Sequence, residues 1–262
     1  MLKEFWSLQM NPKIHVLILN WNGSIFLEEL IDSIKKNNYS NFKITVIDNN
    51  SNDDSLLKIK NENIDIISHS YNYKYAKGYN KAIFNIKNDD SDYYLLLNND
   101  TICDHHLLES FSDAIKKYGS DCVMGAKILY AKNKNKIWYA GGKFGLFNFF
   151  ISHYGIRKTD SLKYNNDYLT DYVTGCCLLI SKNNFHKLNG FDESFNMYGE
   201  DVDLSIRAQN MGLKCYYISQ AKLWHYVSAS YSGNYSISKN ISKVSSLFKL
   251  MMKYPKRIIL GL

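Results

Sequence analysis

The sequence predicts an α/β protein: a mostly parallel central sheet with helices on both faces. Three observations lead there. Short apolar runs alternate with helix-periodic stretches four times over roughly the first 118 residues, and such alternation builds a parallel sheet through right-handed crossovers. One of those runs, Tyr93 to Leu97, is too short for a buried helix and stops abruptly on Asn98-Asn99-Asp100. A buried strand that ends on amides and a carboxylate puts hard oxygen donors at its C-terminal edge, where open α/β sheets bind ligands. The 262 residues are 45% hydrophobic, enough to bury the core of one large domain with or without an appendage.

The elements follow in chain order. Lys13 to Leu19 is a first strand, with Asn20-Trp21-Asn22-Gly23 as its exit loop. Ser24 is placed to cap a helix reaching about Lys36, whose apolar positions Phe26, Leu27, Leu30, Ile31 and Ile34 share one face. Lys43 to Ile47 is a second strand, leaving through Asp48-Asn49-Asn50-Ser51-Asn52-Asp53 into a short helix from Ser55 to about Lys60. Ile64 to Ser68 is a third strand, Tyr71 to Gly78 an irregular loop, and Tyr79 to Ile86 a helix. After the Tyr93 to Leu97 strand, a helix spans about Asp104 to Lys117. The second half is less regular. Cys122 to Tyr130 reads as a strand, residues 131–171 resist assignment, and Tyr172 to Ser181 is a strand interrupted by Gly175. Helices are expected over Lys182 to Leu188 and Glu200 to Met211, the latter closed by Gly212. Lys214 to Ser219 is the last strand, and Ile241, Val244, Leu247, Phe248 and Met251 fall at helical spacing within Lys239 to Tyr254, ahead of Pro255.

Charge is unevenly placed. The last 59 residues hold nine Lys and Arg and no acid, so the first 203 sum to −2 against +7 for the whole chain. The basic end points to an anionic surface, membrane or nucleic acid. The five Cys form no CxxC pair and are odd in number, which argues against a zinc site or a disulfide framework and for a reducing, cytoplasmic setting. No apolar run is long enough to span a bilayer, and the apolar part of Met1 to Met10 is too short for a signal peptide. No nucleic-acid-binding module is recognisable.

The first loop lacks GxGxxG, and GxxxxGK[ST] occurs nowhere, so the sheet holds a nucleotide in some other way than a Rossmann or P-loop protein. Asp48, at a strand end, can accept the imide N–H of a pyrimidine, with Asn20 and Trp21 beside it; Asp53 can instead cap the following helix. Gly78 next to a helix start suits phosphate. Asp100 alone is a weak cation site, and His225 is the best candidate for a second protein ligand to Mg2+ or Mn2+, with donor phosphates and water completing the shell. Glu200-Asp201-Val202-Asp203 places three carboxylates at a helix N-terminus, where the macrodipole offsets part of their repulsion. Asp203 can pair with Arg207 at i,i+4.

The ordered series of motifs resembles family 2 glycosyltransferases over roughly residues 13–230. It comprises Leu19-Asn20-Trp21-Asn22, Val46 to Asp53, Asn72 to Asn80, Leu97-Asn98-Asn99-Asp100, Thr174 to Ile180, Gly190 to Phe195, and Tyr198-Gly199-Glu200-Asp201-Val202-Asp203-Leu204 with Arg207. The bacterial rhamnosyltransferase-like branch is most similar. The resemblance implies a GT-A fold, a nucleotide-diphosphate-sugar donor (dTDP- or UDP-linked), inversion at the anomeric carbon, and a glycan or lipid-linked acceptor in cell-surface polysaccharide synthesis. It implies donor contacts at Asn20, Trp21, Asn22, Asp48, Asn49, Ser51, Asp53, Asn72, Gly78, Asn80, Asn98, Asn99 and Asp100. Acceptor contacts fall at Gly175, Cys176, Tyr198 and Gly199, metal ligation at Asp100 and His225, and the base at Asp201, with Glu200 the runner-up. Residues 1–230 then form the transferase domain, with a nucleotide half over 13–118 and an acceptor half over 119–230. Residues 231–262 form a basic helical extension able to lie on an anionic membrane as a peripheral anchor. A nucleotidyltransferase on a related sheet and a catalytically inactive relative are the alternatives.

Overall fold

The computed structural model describes residues 11–60, 62, 64–145, 150–195, 197–227 and 237–260; Met1 to Met10 lie outside the described residues, as do 231–236 of the basic extension. Four parallel strands make the first half of the sheet: β1 (Ile14–Asn20), β2 (Phe42–Asp48), β3 (Asp65–Ser68) and β4 (Tyr93–Asn98). Between them lie α1 (Leu27–Lys35), α2 (Ser55–Lys58) and α3 (Lys74–Ile83). The chain continues through β5 (Thr101–Cys103), α4 (Leu107–Tyr118) and β6 (Cys122–Tyr130). Residues 131–171, unassigned from sequence, fold as β7 (Asn133–Tyr139), a hairpin of β8 (Gly142–Gly145) and β9 (Phe150–His153), a 3-10 turn at Leu162–Tyr164, and β10 (Tyr168–Leu169). Then come β11 (Cys177–Ser181), α5 (Lys182–Lys187), α6 (Glu200–Asn210), β12 (Lys214–His225), α7 (Ile237–Lys253) and α8 (Pro255–Leu260).

The sheet order is β10-β12-β6-β11-β4-β1-β2-β3, with β5 and β7 pairing onto β12 and β6. β11 runs antiparallel to both β4 and β6, so β3, β2, β1, β4, β6 and β12 share one direction. Alternate side chains go to opposite faces of each strand. Val16 and Ile18 of β1 join Leu30 and Ile34 of α1 and Phe111 of α4 on one face. Leu17 joins Tyr79 of α3, Phe185 of α5 and Leu204 of α6 on the other. Burial on both faces explains why these strands read as continuous apolar runs.

Several boundaries differ from the sequence reading, each for a physical reason. α1 begins at Leu27, and Ser24 does not cap it; the Gly23 carbonyl accepts from the Phe26 and Leu27 N–H in a preceding turn. The Tyr71 to Gly78 stretch is not one loop. α3 starts at Lys74, so Gly78 is a buried mid-helix residue. A Cβ at Gly78 would stand 3.0 Å from the Leu19 side chain; the glycine serves close helix–strand packing rather than a helix N-terminus. Only Cys177–Ser181 of the Tyr172 to Ser181 stretch is strand, because Thr174 to Cys176 turn at the sheet edge. β12 does not stop at Ser219; a register shift between Ile218 and Lys222 carries it on to His225.

Candidate active site

The parallel register assembles the site. Asn20 of β1 stands opposite Asp48 of β2, and Leu19 opposite Asn98 of β4. Three loops therefore leave the sheet side by side at its C-terminal edge. All three are bound into one polar network. The Asn20 amide donates to Asp48 Oδ1 (3.3 Å), Ser51 Oγ (3.1 Å) and Ser55 Oγ (3.0 Å), and its carbonyl accepts from Asn99 Nδ2 (2.8 Å). Gly23 is required beside this network, since a Cβ there would meet Asn20 Oδ1 at 2.2 Å. Asp48 Oδ2 accepts from the Ser51 N–H (3.2 Å). Asp53 accepts from the Ser55 hydroxyl (2.5 Å) and from the N–H groups of Ser24 (2.8 Å) and Ser55 (3.1 Å); although burial opposes ionisation, these hydrogen bonds, the hydroxyl's foremost, leave its carboxyl below the usual range.

Asn49 reaches the other way. Its side chain donates to Asn72 Oδ1 (3.1 Å) and the Lys74 carbonyl (3.0 Å) and accepts from the Tyr73 N–H (3.0 Å). That clamp supports Lys74 in a left-handed conformation (φ 63°) at the first turn of α3, with its ammonium 5.9 Å from the Trp21 ring centroid.

β12 delivers His225 through register. His225 pairs with Thr101 of β5, and its Nε2 lies 3.0 Å from Asp100 Oδ1, both side chains buried. His225 Nδ1 is buried with no partner. Nε2 and Asp100 Oδ1 share a hydrogen bond here; because nothing ties Nδ1, the ring can shift its proton there, which would free Nε2 and the carboxylate for a cation. On that observation the two side chains fit a divalent cation. Among the described residues no group of three or more His, Cys, Asp and Glu converges, so donor phosphates and water would have to complete the shell. Trp138 packs edge-to-face with His225 at 4.6 Å and with His153 at 4.4 Å, centroid to centroid. Burial lowers His153 to about 4, so that ring is neutral at physiological pH.

α6 supplies the carboxylates. Tyr198 (φ 72°) and Gly199 (φ 86°) turn the chain sharply into the helix. Asp201 Oδ2 accepts from the Gly175 N–H (2.9 Å) and Oδ1 from its neighbour Val202 (2.9 Å). Tyr75 Oη donates to the Gly175 carbonyl (2.6 Å), and a Cβ at Gly175 would stand 2.6 Å from that hydroxyl. The two carboxylates differ. Burial, then the Asp201 charge, raise Glu200 to about 8, and its Oε2 is a buried oxygen without a partner. Burial also raises Asp201, but its backbone donors oppose the rise. Burial with the Asp201 charge thus favours the protonated form of Glu200, while the backbone N–H groups favour the ionised form of Asp201.

These groups border one cavity of about 740 Å³. Of the residues expected at the site, Trp21, Asn49, Asn72, Asn98, Asn99, Asp100, Gly175, Cys176, Tyr198, Gly199, Glu200, Asp201 and His225 line it. Asn20, Asn22, Asp48, Ser51, Asp53, Gly78 and Asn80 are not among its lining. Asn80 is spent on the turn after α5: its amide donates to the Phe191 carbonyl (2.8 Å) and accepts from the Phe191 N–H (2.9 Å). The cavity also contains residues the sequence reading missed: Lys74, Tyr75, Trp138, His153 and Tyr172, with Lys243, Ser246 and Leu247 of α7. Lys74 and Tyr75 stood inside a quoted motif. Trp138 and His153 lay in the stretch without periodicity.

A mostly parallel sheet with its polar loops and an acidic helix start at one edge is the GT-A glycosyltransferase arrangement. Residues 15–188 match the family described as Glycosyl transferase family 2, and the chain belongs to that family. Residues 156–231 also match a family described as N-terminal domain of galactosyltransferase. The chain is 27% identical over 253 residues to rhamnosyltransferase WbbL of Escherichia coli, covering 92% of this chain and 90% of that protein. A shorter match, 38% over 55 residues, covers 21% of this chain and 18% of the N-acetylglucosaminyl-diphospho-decaprenol L-rhamnosyltransferase of Mycobacterium tuberculosis. Among solved structures, GalNAc-T7 with UDP, GalNAc and Mn2+ superposes with a TM-score of 0.73 at 15% identity, over 93% of this chain but 48% of that one. Mannosyltransferase PcManGT from Pyrobaculum calidifontis, with GDP-Man and Mn2+, gives 0.64 at 11% identity, over 94% and 66%.

Proposed function

We propose that this glycosyltransferase moves a sugar, rhamnose or another hexose, from a dTDP- or UDP-linked donor to a hydroxyl of a glycan or lipid-linked acceptor. The process it serves is cell-surface polysaccharide assembly, and the anomeric carbon is inverted. One observation carries the reading: Asp201, oriented by two backbone N–H groups, borders the same cavity as the Asp100–His225 pair. The likeness to WbbL supports rhamnose, and the decaprenol-linked relative supports a lipid-linked acceptor.

The donor lies along the β1–β2–β4 edge. The clamped loop at Asn72–Lys74 and the Trp21 ring border it, and Asp100 with His225 would hold Mg2+ or Mn2+ at its diphosphate. Such a cation, when bound, stabilises the charge gathering on the departing nucleoside diphosphate. The acceptor enters from the Trp138, His153 and Tyr172 side. Asp201 takes the proton of its hydroxyl as the oxygen bonds to the anomeric carbon and the bond from that carbon to the phosphate oxygen breaks. Neutral Glu200 adds no second charge against the ionised base.

Thermal stability screened against nucleotide sugars, with Mn2+ and with excess EDTA, tests the donor half. A UDP- or dTDP-sugar should raise the melting temperature more than any nucleoside triphosphate does, and EDTA should remove most of the rise. Preference for triphosphates would point to nucleotidyl transfer instead. Full turnover in excess EDTA would remove the roles given to Asp100 and His225.

A further inference from the structure

α7 has one face fixed to the domain and one held away from it. On the inner face Leu250 is fully buried, and Ser246 Oγ donates to the Met197 carbonyl (3.1 Å). Lys253 Nζ reaches Asp192 (2.7 Å) and Asp203 (2.5 Å), and Tyr254 Oη donates to Asp203 (2.7 Å). Arg257 of α8 donates to Gln209 and Asn210 at the end of α6. These contacts fix the rotation of α7 about its axis. Ile241, Val244, Phe248 and Met252 are thereby turned to solvent, each 63–69% exposed. Their spacings of three, four and four residues align them in one stripe.

We propose that this stripe docks the protein on an anionic phospholipid bilayer, with the cavity mouth beside it. Charge favours that occupant: no Asp or Glu occurs after Asp203, and Lys243 and Lys256 of the same two helices are exposed, while the Lys249 ammonium is turned in to the Ser194 carbonyl (2.6 Å). A basic helix with an exposed apolar stripe lies in the plane of such a surface. The same helix borders the site with its other face, since Lys243, Ser246 and Leu247 line the cavity. It is small for a protein partner, at four side chains against the roughly 20–30 residues a side that a stable interface uses. None of the described helices is long and apolar enough to cross a membrane, so α7 lies on the bilayer rather than through it. The docking rests on the stripe alone. The further statement, that a lipid-carried acceptor enters past α7, rests on the function proposed above.

The test uses the full chain and its Ile241→Ser/Val244→Ser/Phe248→Ser/Met252→Ser variant, floated with phosphatidylcholine vesicles containing or lacking phosphatidylglycerol. The wild type should float with the phosphatidylglycerol vesicles, less so in high salt, and the variant's bound fraction should fall at least about tenfold with its melting temperature unchanged. If the quadruple variant does not fold, Phe248→Glu alone should lower the bound fraction severalfold. A folded variant that floats like the wild type would overturn the docking, as would a wild type left in the soluble fraction. So would a wild-type dimer that the variant abolishes, which would assign the stripe to a second copy of the chain. No donor sugar is present in this assay, so a failure of the transferase reading leaves its result intact.

Discussion

Glu200 and Asp201 are adjacent in sequence, yet the fold gives them different protons. Asp201 has two backbone N–H donors to stabilise its charge; Glu200 has an oxygen with none. Activity that needs the ionised base should rise with pH through the raised range of the pair, above where an isolated carboxylate titrates. Glu200→Gln keeps the uncharged form that burial favours at this position, so it is expected to leave the acidic limb of the kcat/KM profile in place while some turnover persists; a limb moved to lower pH would show that Glu200 is charged while Asp201 titrates. Stability has the opposite sign. A carboxyl whose folded pKa is raised stabilises the fold while protonated, so the contribution of Glu200 is lost as pH climbs from its ordinary value through about 8. At this scale the sequence was legible where a motif carried the residue. Asp100 and Asp201 stood in the motif series and His225 after the last strand, and all three line the cavity. Trp138 and His153 were not legible, because only the pairing of β7 and the fold of the β8–β9 hairpin bring them against His225.

Elements whose periodicity is set by their own burial were readable: β1, β2, β4, α1 and α4 fall within a few residues of expectation. Those set by distant partners were not. α3 starts at Lys74 because the Asn49 side chain, far away in sequence, takes up the polar groups of that turn. β12 outruns its apparent end because β5 and β6 pair with its continuation past the bulge. The same holds for Asp203. Its pairing with Arg207 was foreseeable from spacing, but the buried carboxylate also accepts from Lys253 and Tyr254, which ties α7 directly behind the acidic turn of α6. Leu250, fully buried in the core, is the apolar part of that tie. Leu250→Ala should cost about 2–5 kcal/mol of unfolding free energy and weaken transfer as well, since α7 walls the cavity. Urea unfolding measures the first; a midpoint equal to wild type would show that α7 is not seated as described.

Across the whole molecule, one sheet serves two tasks. The β1–β2–β4 edge brings the Asn20, Asp48 and Asn98 loops together, and β11, antiparallel beside β4, sets the Thr174–Cys176 turn against them, with the Asn98 N–H donating to the Cys176 carbonyl (3.1 Å). Across that turn stands α6. Tyr75, reaching from α3 to Gly175, joins the two sides through a single hydroxyl. The reaction assigned to this arrangement depends on Asp201 more than on any other group. The decisive measurement compares sugar transfer and donor binding in Asp201→Asn with the wild type. The variant should bind the nucleotide sugar with near-normal affinity and lose turnover by at least about a hundredfold, the lower range for removing a general base. Retained turnover in a folded, donor-binding Asp201→Asn protein would contradict the assignment.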